Sequence, residues 1–362
     1  MDIVARFEIS FSRFLDSSAE LVAELPDFAR DNAVLEELYR LMTLTREFDA
    51  RAVTLQRTGQ LGTFPSSLGQ EAVSVGLAHA MNSDDVFVPS FREQGAQLAR
   101  GVSLLELFLY WGGDERGSDF SGPRQDFPVC VPVGSQAAHA AGIALAMKLR
   151  KEPRAVVCVV GDGATSKGDV YEAMNVAGAW QLPIVFIINN NGWAISVPRA
   201  AQSAAETLAQ KAIAVGFEGE QVDGNDVIAV RHATACALEK CRQGHGPHLI
   251  EALTYRLGDH TTADDASRYR SDEEVSSHWQ ADPLARLREF LGSSCIWDRD
   301  KEERLIADCK QQIEEAVQAY LATPPQEAGS LFDYLYAELP APLHWQRDAA
   351  LRKQTSQDQD NG

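Results

Sequence analysis

"RAVVCVVGDGATSKGDVYEAMNVAGAWQLPIVFIINNNGWAIS", residues 154–196, is the stretch on which the fold turns. An apolar run (154–160) breaks at GDG, continues through a helix-forming segment (169–181) and enters a second apolar run (183–189). Uninterrupted apolar, β-branched runs of this length read as strands buried on both faces, the pattern of a parallel sheet. Two such strands joined by one helix form a right-handed crossover and point the same way. Their carboxyl ends then lie on one edge of the sheet, where open α/β folds bind ligands. Asp162 stands just past the first strand, and Asn189, Asn190 and Asn191 stand at the end of the second. The 25 residues between GDG and NNN fit a single crossover.

Taken alone, GDG is an ordinary strand-to-helix turn, because Gly and Asp are common turn residues. The pair of break points says more. An Asp carboxylate and an Asn carbonyl are hard oxygen donors, and Mg²⁺ takes few protein oxygens together with phosphates and water. Gly161 and Gly163 let backbone N–H groups approach an anion closely. The helix that starts near Gly168 adds its positive N-terminal end. The local chemistry is that of Mg²⁺ and a diphosphate.

The same alternation of strands and helices extends outward. Helical spacing covers 32–59, 69–81, 102–113, 135–151, 204–216, 227–244 and 284–321; strands are expected at 85–91 and 248–255. The expected class is α/β, a mostly parallel sheet with helices on both faces. Residues 1–32 read as an N-terminal arm, 33–322 as the main domain, and 323–362 as an extension ending in a disordered polar tail, TSQDQDNG.

Of the 362 residues, 52 are acidic and 33 basic, a net charge of −19. Such a surface repels nucleic acid and anionic lipid, so neither is an expected partner. The six cysteines form no C-x-x-C pair and read as reduced thiols of a cytoplasmic protein. The first residues, MDIVARFEISF, do not read as a signal peptide, and no apolar run is long enough to span a bilayer.

GDG followed at this distance by NN resembles the signature of thiamine diphosphate enzymes. The wider segment resembles the alpha subunit of the first component of 2-oxo acid dehydrogenase complexes, closest to the pyruvate-specific members. RTGQLGTFPSSLGQEA (57–72), PSFREQGAQLARG (89–101), VPVGSQAAHAAGIALA (131–146), QSAAETLAQKA (202–212), EGEQVDGNDV (218–227) and YRLGDHTTADDASRYR (255–270) carry the likeness further. The resemblance implies a thiamine diphosphate-binding fold with thiamine diphosphate and Mg²⁺ as cofactors.

Residue by residue, it implies that Asp162 and Asn191 are metal ligands, with the backbone carbonyl of Trp193 as a third where Tyr is more usual. Gly163 and Ala164 match backbone contacts to the diphosphate, and Val131 and Val133 match main-chain contacts to the aminopyrimidine. Arg92 matches the diphosphate-binding arginine, whose guanidinium fork suits phosphate oxygens. Phe91 stands where Tyr is common, so a phenol contact is lost or replaced. His260 matches the active-site histidine, near the cofactor and used in handing the acyl group to a lipoyl group. Thr261 occupies a position that is a phosphorylated serine in some relatives. Tyr269 and Arg270 are expected to brace that loop, and Ser135 and Gln136 match a potassium site of some branched-chain members. His79, His139, His245 and His248 are read as packing or turn residues.

The implied partners are a beta subunit in an α₂β₂ heterotetramer, which supplies the glutamate that activates the cofactor, and a lipoyl domain of the acyltransferase component. The implied small-molecule substrate is a 2-oxo acid, pyruvate first, a branched-chain 2-oxo acid second, with acetoin dehydrogenase as a third reading. Two other classes compete: a non-catalytic interaction subunit, against which intact Asp162, Asn191, Arg92 and His260 argue, and a Rossmann nucleotide binder, for which no early G-x-G-x-x-G is present.

Overall fold

The structure, a computed structural model, describes residues 2–333 and 335–360. Six parallel strands form one sheet in the order β1-β7-β8-β4-β3-β2. These are β1 (Phe11–Ser12), β2 (Val86–Val88), β3 (Val156–Gly161), β4 (Ile184–Asn190), β7 (Glu218–Asp223) and β8 (His248–Leu253). Between β4 and β7 in the chain, β5 (Trp193–Ala194) and β6 (Val197–Pro198) form a small antiparallel pair.

The continuous apolar runs have the reason expected of them. Val156, Cys158 and Val160 of β3, with Ile184, Phe186 and Ile188 of β4, face one core layer. Helices α5 (Ser135–Arg150) and α6 (Gly168–Trp180) close that layer through Ala140, Ala144, Met174 and Ala177. The alternate residues Val157, Val159, Val185 and Ile187 face a second layer, closed by α2 (Glu71–Ala80) and α9 (Val227–Arg242) through Val73, Leu77, Val230 and Leu238. A strand covered on both faces has no polar alternation to display. Helix α1 (Asn32–Arg57) packs outside α2, with the short α3 (Gln94–Ala99) against both and α4 (Leu104–Trp111) following it.

Four expectations are corrected or refined. Residues 204–216, read as one helix, hold only α8 (Lys211–Ala214), preceded by a loop after α7 (Arg199–Gln202). The backbone N–H groups of Leu208 and Ala209 donate to the buried Glu251 carboxylate instead of to a helix ladder. The helical stretch 284–321 is two helices, α11 (Pro283–Ser293) and α12 (Arg299–Ala322), after the short α10 (Asp272–His278). The break lies where Cys295 takes positive φ. β7 was not expected, because five of its six residues are polar or Gly and only Val222 is buried. The arm contributes β1: Phe14 and Leu15 backbone N–H groups donate to Asp226 Oδ2 at 2.7 and 2.8 Å, while Oδ1 of the same carboxylate caps α9.

The chain divides into two compact units, Met1–Val317 and Gln318–Gly362. The second contains α13 (Ala341–Asp360), so the tail expected to be disordered carries helical backbone as far as Asp360, and its last two residues lie outside the described residues. Among the described residues all six cysteines are free, and no helix is long and apolar enough to cross a membrane.

Candidate active site

The crossover expected from sequence is tight: β3 and β4 are direct neighbours, with Gly161 opposite Asn189. The two break points therefore open side by side at the carboxyl edge of the sheet. A cavity of about 220 Å³ lies there. Asp162, Gly163, Ala164, Asn191, Trp193, Phe91, Arg92, Val133 and His260 all line it. Val131 does not; it is 55% exposed on the loop before α5. Val133 is 45% exposed, and its carbonyl accepts a hydrogen bond from Lys167 Nζ at 2.8 Å.

Asp162 is buried directly after β3. Burial raises its carboxyl pKa to about 6, against the lowering influence of nearby backbone N–H groups and Arg256. Asn191 follows β4, and Gly192 takes a φ of +83°, which turns the chain into β5. Asn191 Oδ1 accepts from the Trp193 backbone N–H at 3.2 Å, and its Nδ2 donates to Gln70 Oε1 at 3.0 Å. Trp193 presents its carbonyl to Arg256 at 3.4 Å, while its indole N–H donates to Glu274. Gly163 lies so close to β5 that an added Cβ would stand 2.6 Å from Ala194 Cβ.

Arg92 is buried, and its guanidinium donates to the carbonyls of Ser66 (2.7 Å) and His260 (2.6 Å) and to His260 Nδ1 (2.8 Å). Because a guanidinium only donates, Nδ1 is the acceptor and the neutral ring carries its proton on Nε2. Burial, then Arg92 and Arg256, press the His260 pKa down to about 4, so the ring is neutral near pH 7. Burial and Arg256 lower Arg92 to about 9, still charged at neutral pH. The Phe91 ring stands edge-on to His260 with 6.0 Å between centroids.

The loop that carries His260 is tied at both ends. Arg270 donates to the carbonyls of Arg256, Leu257 and Gly258, and Tyr269 bridges Arg256 and Asp264. Asp264 in turn accepts the His260 backbone N–H at 3.0 Å. Of the weaker candidates, Gln136 donates to the Val159 carbonyl and leaves Oε1 unpartnered, and Ser135 donates to the Pro132 carbonyl. His79 accepts from Arg231, and His248 meets Glu220, both away from the cavity.

Asn189, named with Asn190 and Asn191 at the end of the second strand, lines the cavity as well. Three residues at the site were not singled out by sequence: Gln70 and Glu93 line the cavity, and Arg256 lies against the Trp193 carbonyl. Gln70 and Arg256 sit inside quoted motifs, GQEA and YRLGDH, so the signal was proximity to a motif. Glu93 is a buried carboxyl raised to about 7, chiefly by burial.

The charge arrangement tests whether a metal and a diphosphate fit. Arg92 and Arg256 are buried, and among the described residues neither forms an ion pair with a carboxylate. Asp162 is a buried carboxylate, and among the described residues no Lys, Arg or His side chain forms an ion pair with it. Unpaired buried charge is costly. An anion beside the guanidiniums and a cation beside Asp162 would relieve both, and Mg²⁺ bound to a diphosphate supplies the two together. Among the described residues no three His, Cys, Asp or Glu side chains form a metal cluster; the candidate oxygen set has one carboxylate, one amide and one carbonyl.

Fold and site thus define a class: a parallel α/β protein with a cavity at the carboxyl edge of its sheet, lined by the buried Asp162 and Arg92. Comparison with known proteins narrows it. Residues 39–328 match the family model described as dehydrogenase E1 component. The chain is 42% identical over 314 residues to the 3-methyl-2-oxobutanoate dehydrogenase subunit alpha of Mycobacterium tuberculosis, covering 87% of this chain and 86% of that protein. It is 38% identical over 347 residues to the pyruvate dehydrogenase E1 component subunit alpha of Bacillus subtilis, covering 95% and 93%. The protein of that name from Staphylococcus aureus is 38% identical over 357 residues, covering 98% and 95%. The chain belongs to the dehydrogenase E1 component family, the thiamine diphosphate-dependent oxidoreductase components of 2-oxo acid dehydrogenases.

Proposed function

We propose that this chain is the alpha subunit of a pyruvate dehydrogenase first component, which decarboxylates pyruvate oxidatively and passes the acetyl group to a lipoyl group. The observation that carries the reading is the pairing, in one buried cavity, of the cation-seeking Asp162 with the anion-seeking Arg92. Pyruvate is favoured by relatives that align along nearly the whole chain. The Mycobacterium tuberculosis relative, at 42% identity, favours 3-methyl-2-oxobutanoate as the second reading.

When bound, thiamine diphosphate supplies the nucleophilic carbon and the electron sink for decarboxylation. Asp162, Asn191 and the Trp193 carbonyl would hold Mg²⁺. Arg92 and the backbone N–H groups of Gly163 and Ala164 would hold diphosphate oxygens, and burial strengthens each of these contacts. Phe91 flanks His260, Val133 lines the cavity, and Val131 lies outside it on the same exposed loop; their main chain would meet the cofactor's other end. His260, neutral with its proton on Nε2, can donate a hydrogen bond to a developing negative charge and move that proton during acyl transfer. Residues 33–322 form the cofactor-bearing domain between the arm 1–32 and the extension 323–362.

The remaining half of the site is supplied by a beta subunit in an α₂β₂ assembly, and a lipoyl domain receives the acyl group. The test is co-purification with the beta partner, light scattering, and a thiamine diphosphate-dependent assay with an artificial electron acceptor. A higher kcat/KM for pyruvate than for 3-methyl-2-oxobutanoate is expected. The reverse order establishes the second reading. Full activity of the chain without any beta subunit would overturn the half-site reading.

A further inference from the structure

Asn191 ends in an amide whose two faces are nearly identical in shape and opposite in chemistry, so its neighbours decide which atom points where. The Trp193 backbone N–H lies 3.2 Å from one end and requires oxygen there. The nitrogen end then lies 3.0 Å from Gln70, which must present an acceptor, Oε1. This sequence of requirements leaves one atom over: Gln70 Nε2 is buried and has no hydrogen-bond partner.

Gln70 itself is firmly placed. It is 1% exposed, immediately before α2, and its backbone N–H donates to the Ser67 carbonyl at 2.9 Å. On one side Gly69 donates to the Glu71 carboxylate at 3.0 Å, and Arg46 holds that carboxylate from outside. A fixed acceptor thus reaches, across 121 residues of sequence, the side chain proposed as a metal ligand.

We propose that Gln70 is a positioning residue for Asn191: it holds the amide nitrogen aside so that the oxygen is offered to the cation. The inference rests on the Mg²⁺–diphosphate reading of the cavity. Without the acceptor, the Asn191 amide can turn over, and an NH₂ group repels a divalent cation where a carbonyl attracts it. Neighbours that orient a ligand in this way are worth about 10–100-fold in metal affinity.

The test uses Mn²⁺ as a probe for Mg²⁺, titrated by electron paramagnetic resonance into the assembled alpha–beta enzyme with thiamine diphosphate present. Gln70→Leu removes the acceptor at similar volume and should weaken Mn²⁺ binding about tenfold or more. Gln70→Met is the second removal if the leucine variant does not assemble. Gln70→Glu keeps an acceptor oxygen for Asn191 while replacing Nε2, and should bind Mn²⁺ nearly as wild type does. A merely packing role predicts that all three substitutions act alike. Wild-type affinity in the Leu and Met variants overturns the proposal, as does a Glu variant that loses as much as they do. Absence of Mn²⁺ binding in the wild-type enzyme overturns the cofactor reading and the orientation role with it, and that failure is visible before any variant is made.

Discussion

Asp162→Asn should stabilise the cofactor-free protein while removing the carboxylate proposed as a metal ligand. The side chain is 4% exposed, and burial lifts its pKa from 3.8 to about 6. A folded-state value above the unfolded one means that the ionised carboxylate opposes folding. The penalty is fully present above about pH 6 and fades as the pH falls towards 3.8. The gap corresponds to about 3 kcal/mol at pH 8 and about 2 kcal/mol at pH 5.5. Asparagine keeps the shape and carries no charge, but it cannot accept every backbone N–H that the carboxylate accepts. That loss subtracts a term independent of pH, so the discriminating quantity is the change of about 1 kcal/mol in the stability difference between the two pH values. Urea unfolding of wild type and variant, both stripped of metal and cofactor, reads it directly. In the same variant, calorimetry should find Mg²⁺-dependent thiamine diphosphate binding lost. In wild type that binding should weaken below about pH 6, where the ligand becomes protonated. An equal stability difference at pH 8 and pH 5.5 would refute the argument that Asp162 is held ionised against its own burial.

Three further outcomes follow from the site. His260→Ala should lower lipoyl-dependent acyl transfer by about 10²–10⁴-fold while sparing cofactor affinity far more, measured by single-turnover transfer and calorimetry. Because burial and the two arginines depress the His260 pKa to about 4, ¹⁵N resonances of the ring should report a neutral Nε2–H tautomer with no titration between pH 5.5 and 8. Gly163→Ala places a methyl 2.6 Å from Ala194 Cβ, so β5 must move away from the turn that carries Gly163; a destabilisation of about 1–3 kcal/mol by urea unfolding and weaker thiamine diphosphate binding are expected.

The parallel sheet was legible in the chain because β3 and β4 are buried on both faces, and that condition writes itself as unbroken apolar runs flanking one helix-length spacer. The meeting of Asp162 and Asn191 in one cavity was legible for the same reason: a crossover fixes on which edge its strands end. The arm's strand was not legible, since β1 spans only Phe11 and Ser12, pairs with β7, and is followed by Phe14 and Leu15 held by the Asp226 carboxylate, all far along the sequence. Nor was the loop before α8, where helical spacing in 204–216 yields to a partner distant in sequence, the buried carboxylate of Glu251.

The sequence by itself determined the class of sheet, the crossover and the residue types gathered at its edge, because these depend on periodicity and spacing along the chain. Tertiary structure alone decided the electrostatic state of the site. Asp162 is pushed up, His260 is pushed down, and Arg92 in the cavity and Arg256 against the Trp193 carbonyl are buried with, among the described residues, no ion pair to a carboxylate. Those properties arise from burial and from neighbours such as Arg92, Arg256 and Asn191, brought together from distant positions, and no local pattern encodes the distance between them.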